Sequence, residues 1–144
     1  MSTPSAAATI AAEDLIALFR RLRRRMRSLP AGDLTPSQTA VLLRLDNASA
    51  ATTTALALAE GVRSQSMTAT LAALERLGLI ARRPDPEDGR RQLITLSPAG
   101  RARVGRDRER RHEWLARSLH QQLTPAQLRT VNEALALLAE VVAE

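Results

Sequence analysis

A mainly α-helical chain with one small β-hairpin is what this sequence predicts, on three observations. Phe19 and Trp114 are the only aromatics among 144 residues. The core must therefore be built from Leu, Ala, Val, Ile and Met, which favours packed helices over a sheet sandwich. Three Ser/Thr-Pro pairs, Thr35-Pro36, Ser97-Pro98 and Thr124-Pro125, each set a capping hydroxyl before a proline at the first helical position. Between them, Thr52 to Ser97 reads as helix, tight turn, helix and arginine-tipped hairpin. That order is the layout of a winged helix-turn-helix, here flanked by N- and C-terminal helices suited to dimerisation.

Residues 1–12 hold small residues with no charged stretch ahead of an apolar one, and are expected to be a frayed, disordered tail rather than a secretory signal. A first helix follows from Glu13 to Ser28. Leu15, Leu18, Leu22 and Met26 share one stripe with Phe19 beside it, and Arg20, Arg21, Arg23, Arg24, Arg25 and Arg27 crowd the other faces. Leu29 to Asp33 is a loop. Thr35-Pro36 opens a second helix to about Leu45, with Ala40, Val41, Leu42 and Leu45 available for burial. Asp46 to Ala51 is a small, polar connection.

Thr52 caps a short helix through Glu60, and Gly61 supplies the left-handed residue that ends it. The next helix starts at Arg63 or Ser64 and stops at Gly78. Met67, Leu71 and Leu74 form its inner face, which Leu77 extends. Leu79–Arg83 and Gln92–Leu96 are paired strands, and the Pro-Asp-Pro-Glu-Asp-Gly between them is turn. Ser97-Pro98 launches a long helix to about Leu119, and Thr124-Pro125 a last one to about Val142. Leu128, Val131, Leu135, Leu138 and Val142 recur at spacings of 3, 4, 3 and 4, those of a helix–helix seam. Two heptads are too short for an independent coiled coil, so the seam is expected to join other helices, the amphipathic first helix foremost. One continuous domain results: tail 1–12, dimerisation helix 13–34, winged region 35–97 and dimerisation helices 98–144.

The outward face of the fourth helix carries Ser64, Gln65, Thr68, Ala69 and Ala72, short and uncharged. A helix fits the major groove of B-DNA, and its N-terminal residues touch base edges. Gln65 offers a donor and an acceptor together, which suits adenine. Ser64 and Thr68 can bond bases or phosphates, Ala69 can meet a thymine methyl, and Ser66 is placed for a phosphate. In the hairpin, Arg90 and Arg91 follow the tip, where an arginine gains from the negative potential of a narrow minor groove. Asp85 and Asp88 would repel DNA if free, so at least one is expected to pair with an arginine and hold the wing's shape.

Leu34-Thr35-Pro36-Ser37-Gln38, Leu74-Glu75-Arg76-Leu77-Gly78-Leu79-Ile80, and above all Arg83-Pro84-Asp85-Pro86-Glu87-Asp88-Gly89-Arg90-Arg91 with Leu93-Ile94-Thr95-Leu96-Ser97 and Gly100 resemble the MarR family of bacterial transcriptional regulators. The likeness spans about nine-tenths of the chain, from Glu13 to Val142. It implies a homodimer with interlocked terminal helices, each subunit presenting a recognition helix to half of a pseudo-palindromic double-stranded operator. It makes Arg90 or Arg91 the wing arginine and Asp88 its brace. It also implies a small-molecule effector between dimer base and reading head, where Trp114 could stack; a lone Trp more often packs against a neighbouring helix. Where the family often has Ser or Thr opening the recognition helix, this chain has Arg63, which leaves the cap open and adds a candidate phosphate contact.

Charge and composition bound the rest. The net charge of +6 arises from 21 basic residues, all Arg, against 15 acidic ones, and points to a polyanionic partner. There is no Cys, which excludes disulfides, thiolate metal sites and cysteine redox sensing. His112 and His120 stand eight residues apart with no companion ligands, so no metal site is expected. No cofactor loop and no nucleophile–base set is visible, so an enzyme is not expected. Arg101 to Arg111, interleaved with Asp107 and Glu109, reads as a solvated helix face with i,i+4 pairs. No apolar stretch reaches the roughly 20 residues of a membrane span, and cytoplasm is the expected location. The alternative to a DNA reader is a dimeric basic adaptor without sequence-specific DNA reading.

Overall fold

The structure, a computed structural model, describes residues 3–30 and 32–143. Met1, Ser2, Ala31 and Glu144, which include the start of the expected tail and one residue of the first loop, lie outside the described residues. The chain divides after Gly105 into two units.

The first unit begins with α1, Ala6–Arg27, capped by Ser5, whose Oγ accepts the Ala8 N–H at 3.2 Å. The expected disordered tail is thus corrected. Ala6 to Ala12 are helical because alanine is the best helix former and Ser5 supplies the cap; apolar periodicity, which starts at Leu15, gives no sign of them. α1 buries none of its residues.

α2, Pro36–Ala48, opens with a full capping box. The Gln38 N–H donates to Thr35 Oγ1 at 3.2 Å, and the Thr35 N–H to Gln38 Oε1 at 2.9 Å. The helix runs three residues past Leu45 and ends in a tight turn at Ser49, φ 64° and ψ −39°, where the Ala50 N–H donates to Ala48 O at 2.7 Å. α3, Thr53–Glu60, is capped by Thr52 and ended by Gly61 at φ 65°, as the sequence predicts. α4, Ser64–Arg76, follows; Leu77 and then Gly78 at φ 70° close it.

β1, Ile80–Pro84, pairs antiparallel with β2, Gln92–Leu96, from Ile80 opposite Leu96 to Pro84 opposite Gln92. β1 sits one residue later than expected because Leu79 is taken by the α4 exit, its N–H donating to Leu74 O at 3.0 Å. Ala51, expected only as connection, bridges Ile94 through bonds of 3.0 and 2.8 Å, so the wing is tied to the α2–α3 linker.

Val41, Leu42 and Leu45 of α2, Leu56 of α3, Met67, Leu71 and Leu74 of α4, and Ile80, Ile94 and Leu96 of the hairpin form one core with Val104. Each fully buried Leu or Ile contributes roughly 1.5–3 kcal/mol of transfer free energy. The expected extension through Leu77 fails: at about 100° per residue it stands roughly 60° beyond Leu74, off the stripe, and is 48 % exposed.

α5, Pro98–Gln122, starts from Ser97, whose Oγ accepts the Gly100 N–H at 3.0 Å and donates to Gly78 O. The second unit holds the rest of α5 and α6, Pro125–Val142, which opens on a Thr124/Gln127 capping box and buries no residue. In this unit Asp107 is buried and paired with Arg110.

Candidate nucleic-acid interface

α4 places its side chains by period. With Met67, Leu71 and Leu74 held at 2 % exposure or less, the residues one and two places around the helix must face out. Ser64, Gln65, Ser66, Thr68 and Ala69 are all exposed and Ala72 is half-buried. Thr68 Oγ1 donates to Ser64 O at 2.8 Å and Thr70 Oγ1 to Ser66 O at 3.1 Å. The Thr68 proton is therefore spent on the backbone, and the residue offers a partner its methyl and an acceptor lone pair. Among the described residues Gln65 makes no side-chain hydrogen bond, so its amide is available at both ends. Arg63, not Ser64, is the cap residue, and it makes no side-chain capping bond. A guanidinium has no acceptor, so the first N–H groups of α4 stay open beside a positive charge.

The wing is built around Asp88. Its Oδ1 accepts the Arg90 N–H at 3.0 Å, its carbonyl accepts the Arg91 N–H at 2.9 Å, and its Oδ2 lies 3.5 Å from Arg91 Nε. Asp85 folds back on its own loop instead, Oδ1 accepting the Glu87 N–H at 2.9 Å while its N–H donates to Arg91 O at 3.0 Å. Of the two aspartates, Asp88 is the one that pairs with an arginine. Arg91 and Asp88 are 67 % and 43 % exposed on their side chains, so the ion pair contributes at most about 1 kcal/mol and the backbone bonds carry the shape. Arg90 is exposed, and among the described residues it has no ion pair.

Two supports were not foreseen. Arg82 on β1 meets Glu75 on α4, Nε to Oε2 at 3.0 Å, coupling wing to helix. Arg44 on α2 holds the end of α3 through Glu60 at 2.6 Å and the Ala59 carbonyl at 3.2 Å. Spacing alone could have suggested the first, since a charge on the last turn of a helix and one on the adjoining strand lie close across a three-residue connection. The second joins residues 16 apart and leaves no local signal. A cleft of about 530 Å³ also opens between Thr52–Thr54 at the start of α3 and Arg90, Arg91 and Gln92 of the wing.

Arg103 Nη1 donates to Asp33 Oδ1 at 2.9 Å, tying α5 to the α1–α2 loop. That hydrogen bond, then one from the Asp33 backbone, and then the Arg103 charge hold the Asp33 carboxyl below its ordinary value of 3.8.

The other expected residues lie elsewhere. Leu15 and Leu18 of α1 are 42 % and 59 % exposed and Leu22 is half-buried. On α6, Leu128, Val131 and Leu138 are half-buried, while Leu135 and Val142 are 56 % and 78 % exposed. Trp114 is half-buried on α5, and His112 and His120 are exposed. Among the described residues no three acidic or histidine side chains gather as metal ligands, and no helix is long and apolar enough to cross a membrane.

Comparison with known proteins agrees with this geometry. A model of the MarR family matches residues 34–91, from the opening of α2 to the end of the wing loop. An HTH-type transcriptional regulator of Mycobacterium tuberculosis is 40% identical over 109 residues, covering 75% of this chain and 76% of the relative. Among solved structures, a transcriptional regulator of Pseudomonas aeruginosa superposes with a TM-score of 0.66 at 32% identity, covering 94% of this chain and 91% of its own. A mutant of MepR from Staphylococcus aureus, bound to an oligodeoxyribonucleotide, shares the fold at a TM-score of 0.62 and 20% identity over 97% of this chain and all of the other. With the winged helix-turn-helix, the polar face of α4 and the arginine-tipped hairpin in place, the chain belongs to the MarR family of transcriptional regulators.

Proposed function

We propose that the protein is a ligand-responsive repressor that binds a pseudo-palindromic DNA operator as a homodimer. The observation that carries this is the pairing, in one unit, of an uncharged polar face on α4 with a wing whose Arg90 stands exposed beside an Asp88-braced turn. A merely solvated helix needs no such face, and a scaffold hairpin needs no arginines at its tip. The oligonucleotide bound to MepR, a protein of the same fold, supports DNA as the partner.

In the proposed complex α4 enters the major groove. Gln65 pairs with an adenine edge, Ala69 meets a thymine methyl, Ser64, Ser66 and Arg63 contact bases or phosphates, and Thr68 turns its methyl and acceptor lone pair to a base. Arg90 reaches the neighbouring minor groove. Dimerisation is supported by α1 and α6, which bury no residue and leave Leu18, Phe19, Leu135 and Val142 more than half exposed. Apolar faces of that extent mark a protein interface, and a second copy of the chain offers matching ones. Two α4 helices then sit about 34 Å apart, one helical turn.

An effector, with Trp114 as a candidate stacking partner, releases the operator by binding the DNA-free geometry better than the bound one. Repression is the family's commoner mode, and the cytoplasm is where such a regulator works. The test is paired substitution. Gln65→Ala should cost roughly 1–3 kcal/mol and relax preference at one base pair, and Arg90→Ala should weaken operator binding, with the dimer intact by light scattering. Unchanged affinity in both variants would return the chain to the class of basic adaptors.

A further inference from the structure

The cleft between α3 and the wing has a composition that major- and minor-groove reading leaves unused. Thr53, Thr54 and Leu58 of α3 line it together with Arg90 and Arg91 of the wing. Among the described residues no acidic side chain lines it. Asp88, on the same wing, already accepts the Arg90 N–H and faces Arg91. Thr52 is committed as well, its Oγ1 accepting the Ala55 N–H at 3.1 Å. Thr54 is exposed, and no side-chain bond engages its hydroxyl among the described residues. Leu58 is 83 % exposed, the largest exposure among the bulky apolar residues. The cleft therefore presents positive charge, free hydroxyls and one apolar side chain.

Duplex geometry says what such a surface meets. The major groove and the adjacent minor groove are separated by a sugar–phosphate strand. A protein that lays α4 in one groove and the tip of its wing in the next must straddle that strand. We propose that the α3–wing cleft grips the operator backbone. Arg91 and the Thr53 and Thr54 hydroxyls take the phosphate oxygens, and Leu58 packs on the deoxyribose. The two wing arginines then divide their labour: Arg90 reads the minor groove, and Arg91, held by Asp88, fixes the register. This rests on the DNA-reading function proposed above.

Thr54→Glu tests the clamp without endangering the fold, because a carboxylate in the first turn favours the helix. Binding is followed by fluorescence anisotropy on the DNA upstream of the protein's own gene and on a shuffled fragment of equal length, from about 50 to 250 mM KCl. The clamp predicts that Thr54→Glu weakens both fragments alike by about tenfold, equivalent to one lost charged contact. It should flatten the salt slope by about 0.9, the value of one phosphate, and leave the preference between fragments unchanged. Thr54→Gln should bind as the wild type does. A single uncharged methylphosphonate linkage at the clamped position should weaken the wild type and leave Thr54→Glu no weaker than before. Wild-type affinity and slope in Thr54→Glu, with the wild type still preferring its own fragment, would overturn the clamp and spare the DNA-reading function. Loss of preference confined to the native fragment would make Thr54 a base reader and also overturn the clamp. A wild type that binds neither fragment would overturn both proposals; one that binds both equally would overturn sequence reading alone, and the Thr54→Glu affinity and salt slope would still decide the clamp.

Discussion

Replacing Gly100 with alanine should loosen the base of the wing. Gly100 lies in the first turn of α5, and a Cβ there would sit 1.9 Å from Leu79 O, 3.0 Å from Leu79 C and 3.3 Å from Leu96 Cδ2. Two of these atoms are backbone and cannot rotate away. To restore ordinary contact the helix and the Leu79 carbonyl must part by about 1.5 Å. The same carbonyl accepts the Ser97 N–H at 3.0 Å, so the movement weakens a hydrogen bond of about 0.5–1.5 kcal/mol. Overpacking adds roughly 1–3 kcal/mol. Alanine's helix propensity returns about 1 kcal/mol. The net loss is about 1–3 kcal/mol, which for a chain of this size lowers Tm by roughly 3–10 °C. Thermal unfolding at matched protein concentration reads it, because assembly makes Tm concentration-dependent. An unchanged or raised Tm would refute the close approach of α5 to Leu79.

Three further outcomes are expected. Leu74→Ala should cost about 2–5 kcal/mol by urea unfolding, and Leu77→Ala no more than about 0.5 kcal/mol; equal costs would restore Leu77 to the core. Ser49→Gly should raise the urea midpoint, because Ser49 sits at φ 64° in a turn of the rare, strained kind, whose strain of roughly 1–3 kcal/mol exceeds glycine's entropic penalty; a lower midpoint would mean the turn is unstrained. Asp33 has its folded pKa below 3.8, chiefly through the Arg103 hydrogen bond. Its contribution to stability is thus present above the unfolded value and lost as pH falls through the folded one. Asp33→Asn should accordingly flatten the acid limb of the stability profile below about pH 4, and an unaltered profile there would exclude the pair.

What could be seen in advance follows from how local each determinant is. Thr35, Thr52, Thr124 and Ser97 each act within three or four residues, and Gly61 and Gly78 end helices by their own backbone. These positions bound α2 to α6, five of the six helices among the described residues. The start of α1 was missed because alanines carry no periodic signal. Leu77 was misjudged because a second three-residue step carries it off the stripe. That an aspartate braces the wing is legible as charge balance within one loop; that it is Asp88 and not Asp85 follows from the family resemblance alone. Arg44–Glu60 and the Ala51–Ile94 bridge are not, since each depends on elements brought together only by folding, whereas Arg82–Glu75 spans one short turn and is within reach of spacing.

The most direct test of DNA reading is fluorescence-anisotropy binding to the DNA upstream of the protein's own gene, against a shuffled fragment of equal length at about 150 mM salt. A sequence-reading regulator should prefer the native fragment by about 10³-fold or more. Equal, salt-sensitive binding to both fragments would contradict it.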